Sequence, residues 1–436
     1  MTRAWAGLDF GTSGCRLCVI DARREVLHTQ AVMLPASRLV DDNGVEQNPT
    51  DWWHAALDLL CGIPTGIKIT ALSVDGTSGS VLAIDADGAP LGPALMYNDT
   101  RAVEQARLIA AVAPEDSPAN TIGSGLARAL WLDRHAFAEG IRHVNQADWI
   151  AGMLSGQHGF SDENNALKMG YDAARRRWPE WIGSLLPLAR LPRVAPVGEQ
   201  LGGPAEAIRR LPGFSEDTRI LLGTTDSTAS ALAACNGVLA PGTGISVLGS
   251  TLVVKLVTEQ PLFDNRRGIY SHRCGDLWLT GGASNSGGAV LARFFETREI
   301  ERLSRDIDPE RPSPLDYYPL PRPGERFPIN DPDLPPRITP RPDDDTAFLH
   351  GLLQGIARIE ARGYRLLETR TGTQLTRVAS IGGGAGNPVW TRLRKNLLKV
   401  ATEASDHDQA AYGAALLAFN RRTDSTPRTE KADDRY

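Results

Sequence analysis

Cysteine is scarce in this chain. There are five in 436 residues, too few for a disulfide framework at this length. Long apolar runs are lacking as well: Gly, Pro, Ser or a charge interrupts every stretch before the ~18 residues a membrane-spanning helix needs. Neither sign of charge dominates, with 47 Lys plus Arg against 52 Asp plus Glu and a net charge of −5. That balance argues against a nucleic-acid binder working by counterion release. The eight His include no H-E-x-x-H and no spacing suited to zinc, and no G-x-x-x-x-G-K-[ST] occurs, so a nucleotide here is not held by a P-loop. The N-terminus enters a strand-like run directly, without the basic and long apolar regions of a secretory signal. The expectation is a soluble cytoplasmic protein with neither membrane nor nucleic acid as partner. What remains is 42% hydrophobic and 23% charged, a globular composition that excludes wholesale disorder. At ~150 residues per domain, the length predicts two or three domains.

The pattern along the chain is α/β. Ala4 to Asp9, Arg16 to Asp21 and Glu25 to Met33 read as three consecutive strands, the first two joined by a turn at Gly11 to Gly14. Cys15 and Cys18 form a C-x-x-C inside this alternating run. Residues three apart on a strand face opposite ways, which predicts that the two sulfurs do not meet. Pro49 to Leu60 has helical spacing with Thr50 as the expected N-cap, and Ile69 to Val74 and Val81 to Ile84 read as strands around a turn at Asp75 to Gly79. Past the middle, Arg219 to Leu222 is a strand leading through Gly223-Thr224-Thr225-Asp226 into a helix over Ser227 to Ala234. A hairpin follows at Ile245 to Val257, turning at Gly249-Ser250-Thr251. It echoes the first hairpin and suggests two halves of related build, 1–220 and 221–420. Twelve of the 29 prolines lie between Pro309 and Pro342, predicting an extended surface crossing. A long helix is expected over Asp345 to Glu368, and residues 421–436, without an apolar face, are expected to be disordered.

Four places carry chemistry. Asp9 ends a strand before Gly11-Thr12-Ser13-Gly14; such a turn faces an anion with backbone N–H groups and hydroxyls, and the acid can hold Mg²⁺ through water. An ordinary hairpin turn is the alternative. Asp226, opening a helix, is either a proton acceptor for a substrate hydroxyl or a helix cap. Gly249-Ser250-Thr251 suits phosphate oxygens. Gly382 to Gly386 holds four glycines in five positions, letting a flat ligand approach the backbone with Trp390 as an apolar wall, unless it is merely a flexible loop. Together these supply what phosphoryl transfer needs: two phosphate-gripping turns, a metal-anchoring acid, a base and a nucleotide cleft.

The chain resembles the FGGY carbohydrate kinases. The residues that carry the resemblance are DFGTSG at Asp9 to Gly14, VEQNPTDWW at Val45 to Trp53, YNDTRA at Tyr97 to Ala102 and SDENNALKMGYD at Ser161 to Asp172. GTTD at Gly223 to Asp226, LGST at Leu248 to Thr251, GGGAGNPVW at Gly382 to Trp390 and AAYGAALLA at Ala410 to Ala418 complete it. The resemblance implies a two-domain actin-like ATPase (ribonuclease H-like) fold with a cleft between a sugar-binding and a nucleotide-binding domain, and ATP with Mg²⁺ as cofactors. It implies Asp226 as the general base, Asp9 as the metal-organising acid, and Thr12 with Ser13 at the γ-phosphate. Gly249, Ser250 and Thr251 would form the second phosphate loop, and Gly383, Gly384, Asn387 and Trp390 would surround adenosine. Ser78, Asp75 and Asp99, with Asp9 and Asp226, would line the sugar pocket.

Within the family the chain looks most like D-ribulose kinases, through Val74-Asp75-Gly76-Thr77-Ser78, Asn98-Asp99 and Asn164 to Lys168. It lacks the Gln-Met-His triplet usual in xylulose kinases near Thr77. The stretch Lys395 to Asp408 carries more charge than the family's helix and apolar strand. Two readings compete with a D-ribulose kinase: a kinase for xylulose or another pentulose or polyol, and a non-catalytic sugar- or nucleotide-binding regulator. An ATPase chaperone on the same fold would need a peptide-binding domain, for which the sequence offers no candidate.

Overall fold

The computed structural model describes residues 1–121 and 123–420; the expected disordered tail at 421–436 lies outside them. Two six-stranded sheets share one design. In the first, β1 (Thr2–Phe10), β2 (Gly14–Ile20) and β3 (Val26–Met33) form an antiparallel meander. Parallel to β1 lies β4 (Ile67–Gly76), and parallel to β4 lies β6 (Arg219–Thr225), with β5 (Gln200–Gly202) on the edge. The second sheet repeats the plan. β7 (Thr243–Leu248), β8 (Leu252–Thr258), β9 (Tyr270–Cys274) and β10 (Leu277–Ser284) are antiparallel, and β11 (Arg377–Ile381) and β12 (Ala401–Ala404) add parallel strands beyond β7. β1 is buried without interruption from Ala4 to Phe10, as a central strand covered on both faces must be.

The helices that matter here are α1 (Pro49–Cys61), α2 (Gln146–Ser155), α3 (Asp226–Ala234), α4 (Thr297–Ser304), α5 (Asp345–Thr371), α6 (Pro388–Leu398) and α7 (Ala410–Asn420). Trp52, Leu59 and Ile150 of α1 and α2 close the core on the first sheet, while Leu352, Ile356 and Trp390 of α5 and α6 close the second. α7 reads Ala-Ala-Tyr-Gly-Ala-Ala because it is squeezed between β1 and α3. A Cβ on Gly413 would stand 1.8 Å from the Ala229 carbonyl oxygen, so only glycine lets these two helices cross. Residues 81–191 add a further small core around Leu126, Leu130 and Ile182. Among the described residues no helix is long and apolar enough to cross a membrane.

Several sequence expectations change. The strand at Arg219 is hydrogen-bonded into the first sheet through β4, so the changeover between sheets falls between Thr225 and Thr243 rather than at residue 220. Asn48, not Thr50, caps α1: its side chain accepts from the Thr50 N–H at 3.1 Å and Pro49 takes the first helical position. Asp75 and Gly76 end β4 instead of opening a turn. The proline-rich crossing is irregular as expected, yet it is anchored rather than superficial, with Tyr317, Leu320 and Phe327 buried. The charged stretch at Lys395 to Asp408 runs from the end of α6 into β12, an edge strand whose only buried side chain is Thr402; charge there blunts an exposed sheet edge. Cys15 and Cys18 do face different cores, and burial pushes both thiols upward.

Candidate active site

Three neighbouring parallel strands end together. In register, Asp9 of β1 stands beside Asp75 of β4, and Thr224 of β6 beside Asp75 on its other flank. With strands ~4.8 Å apart, Asp9, Asp75 and the start of α3 at Asp226 share one rim at the carboxyl ends of the sheet, where open α/β sheets bind ligands. Asp9 is 5% exposed and accepts from Arg16 at 3.1 Å. Asp75 is fully buried and neither of its carboxyl oxygens has a donor. Burial, and then the facing Asp9 carboxylate, push its carboxyl well above the usual range. A proton on Asp75 supplies the hydrogen bond that two carboxylates cannot make. Asp75, expected in the sugar pocket, thus stands fully buried beside Asp9 at the strand ends.

Asp226 is half-buried at the first residue of α3, and its Oδ1 accepts from the Ser227 N–H at 2.6 Å. Burial raises its carboxyl and Asp9 adds to this, while Lys168 and Lys255 act in the opposite sense. Asp9 and Asp226 thus lie near enough to repel one another, with a lysine from each half of the chain nearby. Lys168 donates to the Ser78 carbonyl at 3.2 Å. The Ser78 hydroxyl is buried without a partner. Arg128, 1% exposed, pins this region by donating to the carbonyls of Gly79 at 2.8 Å, Gly123 at 3.0 Å and Asp99 at 2.9 Å, and also to that of Tyr97.

Asp99 belongs to that scaffold. Its carboxylate accepts from the Val45 N–H at 2.8 Å and from Arg101 Nε at 2.9 Å, and it is completely buried. The side chain expected to read a sugar hydroxyl is occupied in holding its own loop.

The two small-residue turns have matched supports. In the first, Gly11 N–H donates to the Gly14 carbonyl at 3.0 Å, Gln47 holds the Thr12 carbonyl at 2.7 Å, and Leu34 N–H holds that of Ser13 at 3.0 Å. Thr12 is half-buried and Ser13 exposed. In the second, Gly249 and Ser250 carbonyls accept from Gly288 at 2.8 Å and Ala289 at 3.0 Å, so the Ser286-Gly287-Gly288 segment, unnoticed in the sequence, braces it. Gly383 and Gly384 line a cleft of about 580 Å³ together with Leu291, Ala292, Phe295 and Ile300, a volume suited to a small molecule.

Trp390 and Asn387 are structural in larger part than expected. The Trp390 ring is 2% exposed, donates to the Leu353 carbonyl at 3.1 Å and lies under the glycine turn, where a Cβ on Gly384 would come within 2.4 Å of it. It supports the cleft floor rather than forming an open wall. Asn387 caps α6, accepting from Val389 N–H at 3.0 Å and Trp390 N–H at 3.1 Å, and its amide donates to Ser304 at 2.9 Å. Its Oδ1 is taken up by the cap, while its amide nitrogen, with a second N–H, lines the cleft.

Sequence reasoning missed Lys255, although a lysine within the alternating run Leu-Val-Val-Lys-Leu-Val-Thr was a visible signal. Lys168 was noted only as part of a run. The helical residues lining the cleft carry no local signal at all. Among the described residues no cluster of three or more His, Cys, Asp or Glu is arranged to hold a metal. A single carboxylate at the strand ends, Asp9, suits magnesium that arrives with nucleotide phosphates, since this ion keeps most of its water and needs one or two carboxylates.

Comparison with known proteins agrees with this architecture. The N-terminal domain of the FGGY family of carbohydrate kinases matches residues 4–233, and its C-terminal domain residues 244–420. A xylulose kinase of Staphylococcus epidermidis is 23% identical over 94% of this chain and 86% of its own length. A gluconokinase of Bacillus subtilis is 21% identical over 96% of this chain and 88% of its own. The crystal structure of a xylulose kinase from Rhodospirillum rubrum shares the fold, with a TM-score of 0.82, 21% identity, and coverage of 98% of this chain and 91% of that one. The chain belongs to the FGGY family of carbohydrate kinases, enzymes that place a phosphoryl group on an alcohol group of a sugar.

Proposed function

We propose that this kinase transfers the γ-phosphoryl group of ATP to the terminal hydroxyl of a ketopentose, converting D-ribulose to D-ribulose 5-phosphate. The observation that carries the reading is Asp226: a half-buried carboxyl at a helix start, on the same rim as Asp9 and facing a lysine from either half of the chain. In the reaction the sugar oxygen forms a bond to the γ-phosphorus, the bond from that phosphorus to the β-phosphate bridging oxygen breaks, and the hydroxyl proton passes to Asp226. A carboxylate serves an alcohol here because the transferring group is loose and metaphosphate-like: the neutral hydroxyl attacks, and its proton becomes acidic enough for a carboxylate as the bond to phosphorus forms.

Asp9 is the residue that would hold magnesium, through water, and when bound that ion neutralises phosphate charge. Thr12 and Ser13 lie at the γ-phosphate, while Gly249, Ser250 and Thr251 grip the phosphates from the second sheet. Gly383 and Gly384 receive adenosine in the 580 Å³ cleft. Ser78, whose hydroxyl lacks a partner, is the sugar-side contact; a bound sugar hydroxyl satisfies it, and losing such a contact is costly. In this division the first half binds sugar and the second binds nucleotide, and closing the halves excludes water that would otherwise accept the phosphoryl group.

A second reading, a xylulose kinase, is favoured by the names of the relatives, among them that of Staphylococcus epidermidis. A kinase assay with product identification across D-ribulose, D- and L-xylulose, L-ribulose, ribitol and glycerol decides. D-ribulose 5-phosphate as the preferred product supports the proposal, and a higher kcat/KM for D-xylulose replaces it with the second reading. ADP release that no sugar stimulates overturns both and leaves a regulator.

A further inference from the structure

Lys255 is one of the two lysines facing Asp226, and no step of the transfer has yet been given to it. It lies within the apolar strand β8 and is 3% exposed. Its ammonium donates to Ser227 Oγ at 3.3 Å and to His272 Nδ1 at 3.3 Å. Ser227 follows Asp226 directly and gives its N–H to the Asp226 carboxyl at 2.6 Å. One residue is therefore held at both ends, by the carboxyl through its backbone and by Lys255 through its hydroxyl. His272 is 2% exposed; with Nδ1 accepting from the ammonium its proton sits on Nε2, which has no partner. Such an arrangement is not needed to fill a core, since an apolar side chain would do so without burying a charge.

The groups around the pair are few. Asp226 faces Asp9 of β1, Asp75 of β4, Lys168, Lys255 and Tyr270 of β9. Lys255 faces His272 and Cys274 of β9, Asp226 and Lys168. Burial lowers Lys255 to about 8, with Cys274 and Asp226 opposing the change. Burial and the two neighbouring ammonium groups hold His272 well below its ordinary value, so it serves as a neutral acceptor.

We propose that Lys255 is a positioning residue for phosphoryl transfer: reaching from the second sheet, it anchors Ser227 and sets a positive charge beside Asp226, so that the carboxyl enters the cycle ionised and ready to accept the sugar proton. The inference rests on Asp226 being the base. It gives the second half of the chain a hold on the proton chemistry of the first, because the ammonium is beside Asp226 only while the two sheets are docked.

The test is the pH profile of kcat/KM for the sugar at saturating ATP and magnesium, on the full chain, for wild type, Lys255→Met, Lys255→Gln and Asp226→Asn, with circular dichroism and melting to establish folding. Loss of a nearby positive charge raises the Asp226 carboxyl, so the acidic limb of both Lys255 variants should move up by about one pH unit, a roughly tenfold loss on that limb. The plateau should change less than about threefold, and Lys255→Arg should bring the limb back toward wild type. A folded Lys255→Met or Lys255→Gln protein with the wild-type limb, or with a loss equal at every pH, overturns the proposal. Asp226→Asn separates the two claims. If its residual activity keeps the limb, the base assignment itself fails; if the limb vanishes there but stays put in the Lys255 variants, only the role of Lys255 fails.

Discussion

The two sheets are built alike and finished differently. Each is an antiparallel meander extended by two parallel strands, but the parallel strands of the first end in Asp9, Asp75 and Thr225-Asp226, whereas those of the second end in Gly249, Gly382-Gly383 and Ser405. One rim presents side-chain charge. The other offers backbone, which requires that nothing project from it. The second half does bury charge, in Lys255, which reaches across to Ser227, and in the Arg394–Glu360 pair, almost fully covered at 2.7 Å, which lies in the core behind β7 and bonds Ser246. On the proposed function, one fold repeated in one chain divides the chemistry of phosphoryl transfer by what the strand ends carry: proton and metal handling on one side, shape and N–H donors on the other.

This contrast predicts that deleting side chains is damaging on the first rim and adding them is damaging on the second. The largest effect is expected for Asp226→Ala, a loss of about 10³–10⁴ in kcat measured by product formation under single-turnover conditions. Near-normal phosphorylation would remove Asp226 from the base role. Asp9→Ala comes next, with kcat down about 10²-fold and the magnesium concentration for half-maximal rate raised; an unchanged magnesium dependence would count against its assignment. On the second rim Gly384→Ala forces its methyl group against the Trp390 ring and should raise KM for ATP about tenfold, with KM for sugar changed less than about twofold. Ser250→Ala, which keeps the backbone of its turn, should cost no more than about threefold in either constant. If Ser250→Ala proves as harmful as Asp9→Ala, the second rim also works by side chains and the comparison breaks.

The smallest effect concerns stability. Asp148 of α2 is buried, and burial with the neighbouring Asp162 raises its carboxyl to about 8. The folded chain then binds a proton that the unfolded chain has released, so this site's contribution falls as pH rises from about 4 to about 8. Asp148→Asn keeps an acceptor for Asn145, which donates at 2.9 Å, but removes the proton. The melting temperature of the variant relative to wild type should therefore be higher at pH 8.5 than at pH 5.5, by about 2–4 °C. A difference independent of pH would show that Asp148 is ionised in the folded protein.

How far the sequence leads follows from the same contrast. Asp9 before Gly11-Thr12-Ser13-Gly14 and the glycines from Gly382 were legible because a strand end and a turn are local events: alternation, an acid and permissive residues lie within a dozen positions. The repeated hairpin was legible for the same reason. Asp75 was not, because its place beside Asp9 depends on the register of β1 against β4, strands more than 50 residues apart in sequence. Asp99 was misjudged because Val45 and Arg101 claim its carboxylate from outside the motif. The aromatic residue near the glycine turn was identified correctly as close by, but its depth in the core is set by α5, a partner the local pattern does not contain. Lys255 was visible as an oddity in β8, yet its significance emerges only where Ser227 and His272 meet it.

Calorimetric titration of two variants, Asp226→Ala and Gly384→Ala, with ATP and with the preferred sugar tests the division of labour most directly. Asp226→Ala is predicted to bind ATP within about twofold of wild type, and Gly384→Ala to bind sugar within about twofold while its ATP affinity falls about tenfold. An Asp226→Ala protein that loses as much ATP affinity as Gly384→Ala, with its sugar affinity intact, would contradict the account.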